Sequence, residues 1–454
     1  MNPTSTLMLN AYSRKRLEIR YSRESGRMNK NTKTVWLGGA AAAAMVAAAG
    51  YVYRSRRQGK SPNPLRRLFP VFALPEPTGP YAIGTFEEHL VDGSRQENRR
   101  GTLPEGDGPR EVPLTVWYPA DTSAAAAAQP ERYPAALGEC LSLVFGLPRR
   151  WFGHLSRVST HAFRRLPLSG GESAYPVLLF SPGIRSTRFQ SLTLVEELVS
   201  RGYIVIGMDH PYTSAEVKLQ GGRAAAYVHE PSFAHSSELH AYNVGEIAVR
   251  AADARFVLDT LERWNAAGSG HPLSGRLDLE RAGLLGHSYG GATAVQALAA
   301  DERFAAALSL EGGFWGEAPS GPLERPFMYL LTGETERALD PNDPKREKVV
   351  YPEWTEEAEQ AMGSSRSDTL FAVVEPFYHQ SFTDVAYVSP RLFAHKATPE
   401  RTSEITRAYA VAFFDRYIKS IRSELLGQDS EAFPEVRYDR KLTRIADQEK
   451  ETRA

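Results

Sequence analysis

The sequence predicts an α/β protein: a mostly parallel central sheet with helices on both faces. Three observations carry that prediction. From about residue 80 onward, short and continuously apolar runs alternate with stretches of helical spacing. Strands buried on both faces read as unbroken apolar runs, and their alternation with helices is the signature of parallel crossovers. One such junction, Gly286-His287-Ser288-Tyr289-Gly290, follows the apolar run Ala282-Gly283-Leu284-Leu285 and precedes a small-residue helical run. Strand, then G-x-S-x-G, then helix is the setting that lifts a serine hydroxyl above a sheet edge, near a helix N-terminus.

The chain has 454 residues, 42% hydrophobic and 24% charged, enough for one large or two modest cores. Its net charge is zero but unevenly spread. Residues 1–67 carry 14 Lys and Arg against Glu18 and Glu24, a net of +12, so the remainder carries −12. An acidic globular part argues against nucleic acid as partner. Cys140 is the single cysteine, which excludes an intrachain disulfide and a cysteine metal cluster, and it reads as a buried apolar residue.

Taken from the N-terminus, the first feature is the alanine-rich apolar run at 35–53. Basic residues from Arg14 to Lys33 precede it, and Arg54, Arg56, Arg57 and Lys60 follow it. As a helix it would span roughly 28 Å, just enough for a bilayer core. A cleaved signal starting at Met28 and ending at Ala48-Ala49-Gly50 fits nearly as well. The expectation is a transmembrane helix or an export signal: membrane association, or a periplasmic or extracellular location. Charge on both flanks leaves the orientation open. Residues 1–60 form this basic region and 61–74 a linker. Residues 75–425 form the folded domain, and 426–454 a polar tail.

Within the domain, Val112 to Pro119 reads as a strand closed by proline, and Pro176 to Phe180 as a fully apolar strand ending at Ser181-Pro182-Gly183. Ser191 to Arg201 has helical spacing, Tyr203 to Met208 is strand-like, and a long helix is expected from about Val244 to Trp264. The nucleophile strand and its helix come next. Further strands are expected at Ala306–Leu310, Phe327–Leu331 and Thr369–Val374, before a closing helix from Thr402 to Ile421. Two insertions interrupt the pattern. Residues 122–172 contain the apolar Leu141 to Leu147 and Trp151-Phe152, a lid or lipid-contact surface or else an extra helix on the core. Residues 338–367 form a charged helical excursion.

Sites in such sheets gather at the carboxyl ends of the strands. Ser288 is the expected nucleophile. His379, just past the last strand, is the expected general base; His395 is its only downstream competitor. His287 is expected to point away from Ser288, and His210, in Asp209-His210-Pro211, to be a wall of the site or a structural residue. Two carboxylates follow strands after Ser288: Glu311 after Leu310, and Glu334 in Thr332-Gly333-Glu334. Glu311 is favoured and Glu334 is the alternative. Nucleophile, acid, histidine is the chain order of α/β-hydrolases. The backbone N–H groups of Tyr289 and Ile184 are expected to form an oxyanion hole. No H-E-x-x-H pairing suggests a metal, and no cofactor is called for.

Several segments together resemble the platelet-activating factor acetylhydrolase family of α/β-hydrolases, meaning the plasma, lipoprotein-associated form and its bacterial relatives. They are Thr78 to Gly84, Leu114 to Pro119, Leu178 to Gly183, Glu197 to Val205, Gly286 to Gly291, Leu310-Glu311-Gly312-Gly313 and His379 to Asp384. The resemblance covers about residues 75–425 and implies the α/β-hydrolase fold. It implies a metal-free serine esterase acting on short or oxidised acyl esters of phospholipids, and it supports Glu311 as the acid, where the family carries aspartate. Other ester specificities on the same fold (polyester, plant-ester or dienelactone-type) are the alternative, and a non-catalytic binding protein is the reading from another class. The partner expected is therefore a small lipophilic ester or phospholipid; the sequence sets no oligomeric state.

Overall fold

A computed structural model describes residues 64–97, 108–233, 235–316, 321–340, 342, 354–394 and 397–445. The apolar run at 35–53 and His395 lie outside these. Among the described residues no helix is long and apolar enough to cross a membrane.

Ten strands of the described residues form one sheet. In chain order they are β1 (Ala82–Gln96), β2 (Pro109–Ala120), β3 (Ala162–Arg164), β4 (Tyr175–Ser181), β5 (Ile204–Met208), β6 (Leu277–His287), β7 (Phe304–Leu310), β8 (Phe327–Thr332), β9 (Thr369–Val374) and β10 (Val436–Tyr438). Their spatial order is β10-β9-β8-β7-β6-β4-β5-β2-β1-β3. The run from β9 to β5 is parallel, while β2, β1 and β10 are joined by antiparallel pairings. This is the α/β-hydrolase architecture that the sequence predicts.

The sheet divides two cores. Successive strand residues point to opposite faces, so Val177 and Leu179 enter one core and Leu178 and Phe180 the other. The first is covered by helix α1 (Ser236–Asn265), through Ile247, Ala254, Leu258 and Leu261, and by α2 (Tyr289–Ala300), through Val295 and Leu298. The second is covered by the helix at Leu192–Ser200 and the closing helix at Pro399–Lys419, which contribute Val195, Leu198, Ile405, Phe413 and Phe414.

The expected elements recur with shifted ends: α1 starts at Ser236 rather than Val244, and β6 at Leu277 rather than Ala282. Three features depart from expectation. β1 has no apolar run of its own. Glu87, Glu88 and His89 lie within it, and it is partly exposed along its length, so half-burial replaces the buried-strand pattern. Residues 64–74, expected as a linker, hold a short helix at Pro64–Leu68 and put Leu68, Phe69 and Leu74 in the core. The expected polar tail supplies β10 and buries Leu442 and Ile445.

In the 122–172 insertion, the helix at Ala136–Phe145 buries Leu137, Cys140 and Leu141, and Leu147, Phe152 and Leu155 join the same core. It is packed as an extra helix. Burial pushes the Cys140 thiol up to about 12, which leaves it unreactive. In the 338–367 insertion, the helix at Trp354–Gly363 buries Trp354, Ala358, Ala361 and Met362.

Candidate active site

β6 ends at His287, and the chain turns at Ser288 with φ 58° and ψ −123° before entering α2. That backbone region is sparsely populated for a residue with a side chain, and such strain concentrates at functional sites. The turn is pinned where Ser288 N–H donates to Leu310 O (2.8 Å) and Gly291 N–H to Ser288 O (2.9 Å). Its flanking glycines are required by contact: a Cβ on Gly290 would lie 1.9 Å from Ser181 O, and one on Gly286 2.1 Å from Gly290 O.

The loop after β4 lies against this turn. A Cβ on Gly183 would be 3.3 Å from Ser288 Cβ. Among the described residues neither Ile184 N–H nor Tyr289 N–H has a hydrogen-bond acceptor. Two unengaged donors beside a half-buried serine are what a developing oxyanion requires.

β7 delivers Glu311, whose backbone turns left-handed at φ 58° directly after the strand. Its carboxylate is fully buried, and Oε2 lies 3.0 Å from His379 Nδ1. The other oxygen, Oε1, accepts from Thr332 Oγ1 at 2.6 Å. Thr332 also caps the short helix Gly333–Leu339 by accepting from Thr335 N–H. Glu334 sits in the first turn of that helix, partly exposed, and the carboxylate bonded to His379 is that of Glu311. His379 opens a single turn just past β9. With Nδ1 engaged, Nε2 is its basic nitrogen. Among the described residues no hydrogen bond joins the Ser288 hydroxyl to His379, whose Nδ1 is committed to Glu311.

Around this trio lie residues to which sequence reasoning assigned no part in the reaction, among them His287, expected to point away from Ser288. His287 packs its ring 4.6 Å from that of His379; its Nε2–H donates to His379 O (2.8 Å) and its Nδ1 accepts from Gln190 Nε2 (3.0 Å). Burial, reinforced by His379, holds His287 well below the usual histidine range and therefore neutral. The loop that follows His379 is tied down by Asp384, which accepts from Thr193 Oγ1 (2.5 Å), Thr193 N–H (3.2 Å) and Tyr133 OH (2.8 Å). Burial pushes that carboxyl up to about 6 in spite of these donors.

A second serine–histidine–carboxylate array adjoins the loop after β4. Ser181 Oγ is 2.9 Å from His210 Nε2, and His210 Nδ1 is 2.8 Å from Asp253 Oδ2. Arg110 forms a two-pronged pair with Asp253. Burial, and then Arg250, lower His210 to about 3, so it donates to Asp253 as a neutral ring and not as a cation. Burial opposes charge on Asp253, but Arg110 and His210 overcome it and hold the group far below the carboxylate range. Arg250 is fully buried as well and donates from Nη2 to Pro182 O at 2.7 Å. His210 is thus a structural residue of the loop. No periodicity marks Asp253, which lies on the long helix whose apolar spacing dominates its sequence.

Comparisons with known proteins agree with this architecture. A protein of Arthroderma benhamiae named "Probable 1-alkyl-2-acetylglycerophosphocholine esterase" is 28% identical over 58% of this chain, which spans 65% of that relative's length, just under two thirds. A platelet-activating factor acetylhydrolase of Cavia porcellus is 22% identical over 76% of this chain and 78% of its own. Among solved structures, a ferulic acid esterase from Streptomyces cinnamoneus superimposes with a TM-score of 0.65 at 29% identity, covering 81% of this chain and 99% of that one. The family model described as platelet-activating factor acetylhydrolase, isoform II matches residues 68–421. It reaches from the helix before β1 to the end of the closing helix, and the chain therefore belongs to that family, carboxylic ester hydrolases on the α/β-hydrolase fold.

Proposed function

We propose that this chain is a serine carboxylic-ester hydrolase working through Ser288, His379 and Glu311, and that its substrates are short-chain or oxidised acyl esters of phospholipids or similar lipophilic esters. The observation that carries the reading is the buried Glu311–His379 hydrogen bond beside a serine held at a strained strand-to-helix turn. Ser288 Oγ attacks the ester carbonyl while His379 Nε2 takes its proton. The N–H groups of Ile184 and Tyr289 meet the oxyanion, and His379 returns the proton to the leaving alcohol. Water activated by the same nitrogen then releases the acid from the acyl-enzyme. Glu311 keeps the imidazole proton on Nδ1 and stabilises the imidazolium, with Thr332 holding its far oxygen.

Phospholipid esters are favoured by the names of the relatives. The likeness to a ferulic acid esterase supports a second reading, in which the substrate is an aromatic or plant-type ester. The N-terminal basic and apolar region would anchor the domain to a membrane or export it, and deletion of residues 1–60 is expected to leave a soluble, active protein. An inactive but folded truncation would overturn that assignment.

Fluorophosphonate labelling of wild type beside Ser288→Ala, with the labelled peptide mapped by mass spectrometry, tests the nucleophile. Label on Ser288 that vanishes in the variant is expected. A folded protein that takes no label, with or without lipid micelles, would sink the reading. An ester panel spanning acetyl to long-chain phospholipids and feruloyl esters then decides between the two substrate classes.

A further inference from the structure

The oxyanion loop and the base come from distant parts of the sheet. The loop follows β4 and His379 follows β9, with β6, β7 and β8 between them. Four strand spacings of nearly 5 Å each separate the two strands, so the sheet alone registers these groups only indirectly. A buried chain of hydrogen bonds joins them directly. Gly183 N–H lies 3.1 Å from Gln190 Oε1, Gln190 Nε2 lies 3.0 Å from His287 Nδ1, and His287 Nε2 lies 2.8 Å from His379 O.

The direction of this chain is fixed by its ends. A backbone N–H can only donate, so Gln190 Oε1 accepts and its amide nitrogen must donate onward. A backbone carbonyl can only accept, so His287 carries its proton on Nε2 and accepts on Nδ1. No other assignment satisfies both ends. Gln190 and His287 are 1% and 2% exposed, so neither has water as a substitute partner. Gln190 is held from the other side as well, because its backbone carbonyl accepts Asp384 N–H (2.8 Å) from the loop that carries His379.

We infer that Gln190 and His287 are positioning residues that lock the oxyanion loop and the base His379 to one another. The inference rests on the serine-hydrolase reading above. Neither residue touches the reacting atoms in this role; each sets where groups that do touch them are held. A misplacement of about 1 Å between catalytic groups costs on the order of 100-fold in rate, and this bridge is the direct restraint against it.

The test uses the full chain with p-nitrophenyl acetate as probe. His287→Phe and Gln190→Leu keep volume and remove the bonds. Each is expected to lower kcat about 10- to 100-fold with KM changed less than about 3-fold. The double variant is expected to lose no more than the worse single one, because one chain is broken either way. His287→Gln can donate to His379 O and accept from Gln190, and should recover kcat to within about 3-fold of wild type. If His287→Phe or Gln190→Leu fails to fold, Gln190→Met keeps the length of the side chain and removes both of its bonds; it should still lower kcat about 10-fold. A folded bridge variant with wild-type kcat, or losses that multiply in the double variant, would overturn the inference. Ser288→Ala is assayed alongside. If it is inactive while the bridge variants are normal, the bridge alone falls; if it stays active, the hydrolase reading falls and takes the bridge with it.

Discussion

Two serine–histidine–carboxylate arrays sit on either side of one loop, and we propose that only one of them reacts. In both, the histidine meets its carboxylate through Nδ1, at 3.0 Å for Glu311 and 2.8 Å for Asp253. The difference lies in the serine's backbone and in solvation. Ser288 stands at a left-handed turn ahead of a helix, with unengaged N–H groups beside it. Ser181 is the last residue of β4, paired in register with Gly286, and its hydroxyl is already spent on His210. His210 is fully buried and held to about 3, so it has no capacity to accept a nucleophile's proton near neutral pH. Three residue types in hydrogen-bond reach are therefore not a catalytic triad. A serine at a strained strand-to-helix turn, with unengaged N–H groups beside it, separates the proposed machinery from scaffold.

The sharpest way to break this contrast is to remove each hydroxyl. Ser288→Ala should lower kcat by about 10⁴-fold or more, whereas Ser181→Ala should stay within about 10-fold and lose about 1 kcal/mol of stability. Equal effects in a p-nitrophenyl acetate assay would erase the distinction. The histidines should divide in the same way: His379→Ala inactive, His210→Ala still active but less stable by about 3 kcal/mol because a buried charge loses a partner. Calorimetry beside the rate assay reads both. Next in size, Glu311→Gln should cost about 10² to 10⁴ in kcat, as expected when the acid that orients a base is neutralised. Glu334→Gln should cost less than about 3-fold, and the reverse order would move the acid to the later strand.

The same contrast predicts a pH dependence of stability. His210 is held at about 3 against an ordinary 6.5. Between those values the unfolded chain binds a proton that the folded chain refuses, so stability present above pH 6.5 is lost as pH falls toward 3. The loss is on the order of a few kcal/mol. Denaturant melts of His210→Gln across that range should be flatter than those of wild type, and parallel curves would show that His210 is not the group responsible.

The central strands were legible because full burial on both faces leaves an unbroken apolar run, as in Val177–Phe180 and Ile204–Met208. β1 was not, because half its residues face outward and carry charge, and β10 hid in a polar segment since three residues leave no pattern. Ser288 was marked by its motif, and His379 and Glu311 by their places after strands. Gln190, His287 and Asp253 carried no such mark. Their roles come from pairings across 97 residues for Gln190 with His287, and 43 for His210 with Asp253, which only the folded chain brings together.

The short strand Val436–Tyr438 sets a practical boundary. The family match stops at residue 421, where the closing helix ends and every candidate site residue has already been supplied. Yet β10 pairs with Ala372, Val373 and Val374 of β9, the strand that leads to His379. A shortened chain ending near residue 425 would keep its chemistry and bare that edge, and naked strand edges recruit other chains. Such a product would reveal itself first as turbidity in concentrated stocks, and dilute samples would still turn over ester.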